Sequence, residues 1–581
     1  MFVDNESYPG VLSERMAVAR GEQPADLLLK NARLINFFTG KAAKTNIALH
    51  QGYIAAIGET YKSGNEIIDL NGAYVAPGFI DAHLHIESTL LFPPELARIL
   101  IVNGTTAVIN DPHEIGNVMG IKGVKMMLDA SKDLPVDFFF TVPSCVPSTD
   151  METAGGKINA DQIRGKLKHP RVVGLGEMMN YPGVINAEKS VMNKLAAAHE
   201  VGKVVDGHAP GLTGNDLQAY LSAGIGTDHE CLTANEALEK LKSGMKIIIR
   251  HGSASSSLGE LIPLVNQTNV DLFMFGSDDR EAAELLGRGH LNDLLKRAVS
   301  MGADPYLAIR IATFNPARHY RLFDRGLIAP GYTADLAVIK DLKDFEVVLV
   351  VKNGKIVSRQ GRPEFSQSRF LPPGEALNSV KVKQPLTESD FKISVRSKTM
   401  PVIGVVPGQL ITEKLSVKVE PGKDGSLRVD PDSGLNKIAV IERHHASGRM
   451  AVALVQGIGL KEGALASSVA HDSHNIIVVG VEESAMAVAV NKLADAGGGF
   501  IAVGGRGEIK SFLPLEIGGL MSLKTAEEVA GEMDSILKAA SELGAKLPHP
   551  FLTLSFLALP VIPSLKITDR GLFDVDNFSF L

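Results

Sequence analysis

Two histidines one residue apart, His83 and His85, stand in the apolar run PGFIDAHLHIESTL from Pro77 to Leu90. Alternate residues of a strand point to one face, so the two imidazoles project side by side, roughly 6.5 to 7 Å apart along the strand. Neutral imidazole is the commonest side-chain metal ligand, and this spacing suits two ligands converging on one ion. Further along, other apolar runs end in groups of the same kind: His113 and Glu114, then Glu177, His208, His229, His251 and Asp278. One such residue at a strand end carries little meaning. Six or more arriving at one place are hard to explain as packing, because buried ionisable groups cost free energy without partners, and the set reads as a metal centre. Cys145 and Cys231 are the only cysteines, so a metal must be held by His and carboxylate, and a disulfide framework is excluded.

The elements that must position these groups follow from the spacing of the apolar runs. Eight strand-like runs alternate with helix-like stretches: Phe79 to His85, Thr105 to Asn110, Val136 to Ser144, Val172 to Met178, Lys203 to His208, Gly224 to His229, Lys246 to His251 and Asp271 to Asp278. Segments such as NAEKSVMNKLAAAHEVG and ANEALEKLKSG have the length and helix formers of crossovers. An eight-fold (β/α)8 TIM-like barrel over 77–324 is the economical reading, and such barrels carry chemistry at the carboxyl ends of their strands. The short runs and Gly/Asn turns of 25–76 return in 325–365 and predict one small composite β-sandwich domain made from both ends. Residues 1–24 show no clear periodicity and read as an N-terminal arm. PEFSQSRFLPPGEALNSV reads as a linker into an α/β (α+β) C-terminal domain over 370–581, with strands in KIAVIER, MAVALVQG, NIIVVG and FIAVGG and a helix in TAEEVAGEMDSILKAASEL.

At 581 residues the chain exceeds one hydrophobic core. A net charge of -7 gives no basic field for nucleic acid or an anionic membrane. The first residues, MFVDNESYPG, are acidic and polar, unlike a secretory signal, and the apolar run Phe551 to Leu565 is broken by Pro560 and Pro563, which argues against a membrane span. A cytoplasmic protein is expected.

HLHIESTL, NDPHEIGNVMG, VPSCVPSTDMETAG, GLGEMMNYPGVI, DGHAPGL, GTDHE and FGSDDR together resemble the bacterial adenine deaminases of the amidohydrolase superfamily. The resemblance implies two divalent metal ions, manganese or iron first and zinc as the third candidate. His83, His85 and Asp278 would hold one ion, His208 and His229 the other, and Glu177 would bridge where many relatives use a carboxylated lysine. The implied reaction is hydrolysis of adenine at C6 to hypoxanthine and ammonia, a purine-salvage step, with a water shared by two metals made acidic enough to ionise near neutral pH. Asp278, Glu114 and His113 are the implied catalytic groups, and His113, Glu114, Ser144 and His251 the substrate contacts. The implied partners are adenine and further copies of the chain, as a homodimer or higher homo-oligomer. The zinc site of other base deaminases needs a PCxxC segment, which is absent here.

Two alternatives stand beside this reading. An amidohydrolase acting on a cyclic amide or N-acyl amino acid predicts lysine at position 177, and a non-catalytic barrel predicts missing ligands. His471 and His474 in HDSHN, like His444-His445, suggest hydrogen bonding or an active-site contact rather than a second metal site, because no third ligand can be named. GGGFIAVGGRGEIK reads as turns rather than a phosphate loop, and Met126-Met127 and Met178-Met179 as core filler. Arg250 and Ser253, beside His251, could reach ligand.

Overall fold

The computed structural model describes residues 8–253, 255–366, 370–395, 397–422 and 425–581. Its central unit is a ring of eight parallel strands: β1 (Phe79–Leu84), β2 (Thr105–Asn110), β3 (Asp137–Val142), β4 (Val172–Met178), β5 (Val204–Gly207), β6 (Thr227–Asp228), β7 (Lys246–Arg250) and β8 (Phe273–Gly276). β1 to β5 form one parallel sheet and β6 to β8 another. The seams close through Gly226 N donating to Val205 O (3.1 Å) and Asp278 N donating to His83 O (2.9 Å). This is a TIM-like barrel. Ile80, Ala82, Ala107, Ile109, Phe139, Val173, Ile248 and Met274, drawn from six of the strands, meet Tyr320 in a cluster of their own, as the filled interior of a small barrel requires. All eight expected runs contain a strand, although β6 and β8 are shorter than their apolar runs. At β8 the run begins in a 3-10 turn (Val270–Leu272), and both runs end in the polar residues that line the mouth.

A nine-stranded sheet is assembled from chain on both sides of the barrel. Its seam pairs Tyr74–Pro77 with Leu336–Ile339 antiparallel, Val75 opposite Val338, so both ends of the barrel segment enter the same sheet. Where no periodicity was legible at the amino end, the structure has a helix, Tyr8–Ala19. Tertiary contacts hold it rather than an apolar stripe: Val18 is buried with Leu28 and Ala56, and Arg15 lies over the Tyr53 ring at 4.2 Å.

Beyond residue 397 an eight-stranded sheet, antiparallel except for Thr399–Val405 beside Met450–Gln456, carries the helix Glu483–Ala496 against one side. The helix Ala526–Glu542 starts from a capping box, Thr525 with Glu528, which satisfies two otherwise orphaned backbone donors. It lies between this sheet and the barrel. One continuous buried cluster holds Leu90 and Ile115 of the barrel together with Leu520, Met521, Val529 and Phe551 of the carboxyl-terminal region. Polar ties cross the same boundary: Ser522 N to Leu90 O (2.8 Å), Ala526 N to Glu95 Oε1 (2.8 Å) and Asn475 Nδ2 to Thr153 O (2.9 Å). Among the described residues no helix is long and apolar enough to cross a membrane.

Candidate metal centre

The barrel mouth gathers His83, His85, Glu177, His208, His229 and Asp278, all but His208 less than 5% exposed. His83 and His85 bring their Nε2 atoms within 3.1 Å of each other, and both lie 3.4 Å from Asp278 Oδ1. The Glu177 carboxylate is divided between two groups of imidazoles. Its Oε1 lies 3.5 Å from His85 Nε2, whereas its Oε2 lies 2.8 Å from His208 Nδ1 and 3.2 Å from His229 Nε2. His85 Nδ1 faces the Asp111 carbonyl at 2.9 Å, a contact that requires the proton on Nδ1 and leaves the Nε2 lone pair aimed at the centre.

Charge explains why such a cluster calls for a cation. Burial drives the Asp278 carboxyl upward, but Arg250, His83 and His85 hold it well below its usual range. Burial likewise raises Glu177, and His208 and His229 more than reverse it. The histidines answer in kind. Burial lowers His229, yet Glu177 and the other carboxylates push it up to about 9. Two buried carboxylates thus demand positive charge, and unprotonated imidazoles beside divalent ions meet that demand with the same atoms. Asp278 also has φ of 55°, a left-handed conformation uncommon outside glycine and typical of functional sites.

Several supports were not read from the sequence. Asp111 Oδ2 accepts from Glu177 N (2.9 Å), and its Oδ1 has no hydrogen-bond partner among the described residues. Tyr220 Oη donates to Met178 O (2.8 Å) and accepts from His208 N (3.0 Å), tying β4 to the residue after β5. Arg250, named only as a group that could reach ligand, bridges Asp278 Oδ2 (2.7 Å) and Glu230 Oε1 (2.6 Å). Asp81 ties β1 to β8 by accepting from His83 N and Ser277 N (3.1 Å each), with His290 Nε2 at 2.9 Å. The acidic residues inside NDPHE, GTDHE and FIDAH were the available signal for Asp111, Glu230 and Asp81.

The substrate-side candidates divide. His113 and Glu114 border the centre: His113 Nδ1 is 3.3 Å from Glu177 Oε1, and its Nε2 3.3 Å from Glu114 Oε1. Ser144 instead points its hydroxyl at the Glu177 carbonyl (2.5 Å), a contact beneath the mouth. His251 pairs with Ser256 Oγ (2.7 Å). HDSHN reaches the site, as hydrogen bonding or an active-site contact required: His474 Nε2 bonds Glu114 Oε2, and His471 Nδ1 lies 2.8 Å from Glu114 Oε1. A cavity beside the cluster is walled by Ser88, Leu90 and Asp279 from the barrel and by His471, Phe500 and Phe551 from the carboxyl-terminal region. Its polar edge against an apolar wall suits a flat, partly polar small molecule.

Residues 74–357 match the amidohydrolase family, and residues 409–579 match the adenine deaminase C-terminal domain. The chain is 48% identical to the adenine deaminase of Desulfatibacillum aliphaticivorans, covering 97% of this chain and 98% of that one. It is 44% identical to that of Methanothrix thermoacetophila, covering 98% of each. A crystal structure of an adenine deaminase covers 57% of this chain and 99% of its own, with 18% identity and a TM-score of 0.44.

Proposed function

Since the chain belongs to the adenine deaminase family of the amidohydrolases, we propose that it hydrolyses free adenine to hypoxanthine and ammonia at this mouth. The observation that carries the reading is the Glu177 carboxylate shared between two imidazole groups, in a chain similar to adenine deaminases over nearly its whole length. We assign His83, His85 and Asp278 to one divalent ion, His208 and His229 to the other, and Glu177 to both. Manganese or iron heads the candidates for a His/carboxylate set, with zinc third. Bound there, the ions supply the Lewis acidity that makes a water nucleophilic at neutral pH.

The chain's own groups then handle orientation and protons. Asp278 takes a proton from the attacking water through Oδ1 and delivers it to the departing amino group, while Arg250 holds its other oxygen at 2.7 Å. Glu114, with His113 behind it, contacts the ring and moves the water's other proton to N1 as C6 becomes tetrahedral, so that both protons of the water are placed and C6 ends as a carbonyl. The C6–O bond forms, the C6–N bond breaks, and ammonia leaves. Walls from the barrel and the carboxyl-terminal region exclude bulk water from the base. In this reading the composite β domain (25–76 and 325–365) braces the barrel (77–324), residues 370–581 close it, and the protein works in the cytoplasm in purine salvage as a homodimer or higher homo-oligomer. Ser144 serves through Glu177, and His251 at the rim of the substrate site. Incubating metal-replete protein with a panel of purines and cyclic amides tests the proposal: ammonia and hypoxanthine from adenine are expected, and opening of a hydantoin or dihydroorotate with adenine untouched would overturn it.

A further inference from the structure

Glu114 follows strand β2, yet the groups that grip its carboxylate come largely from a region more than three hundred residues away in sequence. His474 Nδ1 accepts from the Ala470 N–H at 3.2 Å. An imidazole that accepts at Nδ1 carries its proton on Nε2, so Nε2 donates to Glu114 Oε2. A nitrogen committed as a donor has no lone pair for a cation. Glu114, His471 and His474 therefore form a hydrogen-bonded clamp, although their atoms are close enough together to resemble a ligand set.

The clamp is anchored from behind. His474 sits at φ 55°, a conformation that costs free energy unless its surroundings enforce it. Arg443, fully buried, donates to the His474 carbonyl through Nε, and its Nη2 donates to Gly518 O (3.0 Å) and Ser468 O (3.4 Å). A Cβ on Gly519 would lie 2.5 Å from Arg443 Nη1, so glycine leaves the room that the buried guanidinium occupies. His444 Nε2 adds a contact to Ser473 O at 2.7 Å.

We propose that His474 and His471 are positioning residues for Glu114, with Arg443 fixing the loop that carries them, so that the active site is complete only when the carboxyl-terminal region is docked. The proposal rests on the deaminase reading above. Each carboxylate oxygen is held by one of the two imidazoles, which leaves Glu114 a single orientation toward the cavity that His471 also borders.

The test uses full-length, metal-loaded protein carrying His474→Phe, which keeps ring volume without a donor, or His474→Gln, whose amide nitrogen can reach the place of Nε2. His474→Phe should lower kcat on adenine about a hundredfold, the scale of a misplaced general acid or base, with KM little changed and full metal content. His474→Gln should recover to within about tenfold of wild type, since hydrogen-bond geometry rather than the ring is what matters. In a Glu114→Gln background His474→Phe should cost little further activity, because the two residues act as a unit. The same cycle read in melting temperature should be non-additive and needs no substrate. Wild-type kcat in His474→Phe, failure of His474→Gln to do better than His474→Phe, or an additive melting cycle would overturn the clamp. A wild type inert toward adenine with a non-additive cycle would overturn the function instead.

Discussion

Glu177 offers one oxygen to His85 and the other to His208 and His229, so losing its charge should loosen both halves of the centre. Glu177→Gln is expected to lower tightly bound metal from two equivalents to one or fewer and adenine turnover by about a thousandfold, the scale at which essential catalytic groups act; metal analysis beside the assay checks both. His251 makes a separate prediction. Burial, with Arg280 and Arg297 nearby, pushes its imidazole down to about 4, whereas in the unfolded chain it titrates near 6.5. A base with a depressed folded pKa leaves stability intact above about 6.5 and withdraws it as pH falls from there toward 4. His251→Asn should therefore flatten the loss of melting temperature over that window, and an unchanged profile would show that His251 does not titrate as placed. The ligand-type residues were legible because each ends an apolar run. Asp111, Asp81 and Glu230 were not, since a carboxylate that braces a neighbour's backbone or guanidinium carries no spacing of its own.

Among the elements, the turn from β6 into the next helix shows how much stability rests behind the site. Lys240 Nζ, fully buried on Ala234–Lys242, reaches Asp228 Oδ2 (2.8 Å), Glu236 Oε1 (2.7 Å) and Ala209 O (2.6 Å). Burial works against the Asp228 carboxyl, but Lys240 and His229 hold it at about 2. Asp228, which precedes His229, in turn accepts from the N–H of Ala209 (2.9 Å), the residue after His208. Lys240→Met would strand that carboxylate and should cost about 3–5 kcal/mol of stability, the usual result of breaking a buried pair from one side. Calorimetric unfolding measures it, and a loss below about 1 kcal/mol would mean that solvent reaches Asp228. The barrel strands were readable because strands covered on both faces are continuous apolar runs. So were the strands within KIAVIER, MAVALVQG, NIIVVG and FIAVGG. The edge strand Thr412–Lys418 and the Tyr8–Ala19 helix were not: the first alternates exposed and half-buried residues with little apolar signal, and the second is held by tertiary contacts.

At the scale of the whole molecule, the shared core across Leu90, Ile115, Leu520 and Phe551 means that the barrel's mouth is not a free surface. A chain ending at residue 366 would expose that apolar face and release Glu114 from its clamp. It should be poorly soluble or inactive on adenine, as sedimentation and an ammonia assay would show; a soluble product with unchanged kinetic constants and oligomeric state would contradict closure by the carboxyl-terminal region. HDSHN suggested hydrogen bonding or an active-site contact, but its partner could not be named, because Glu114 lies far away in the sequence. The central claim, adenine hydrolysis at a centre built around a shared carboxylate, is tested most directly by titrating chelator-stripped full-length protein with Mn²⁺ while following the conversion of adenine to hypoxanthine. Activity should rise from a negligible level and level off at two equivalents of metal per chain; full turnover without metal, a plateau at one equivalent, or no hypoxanthine at saturation would contradict it.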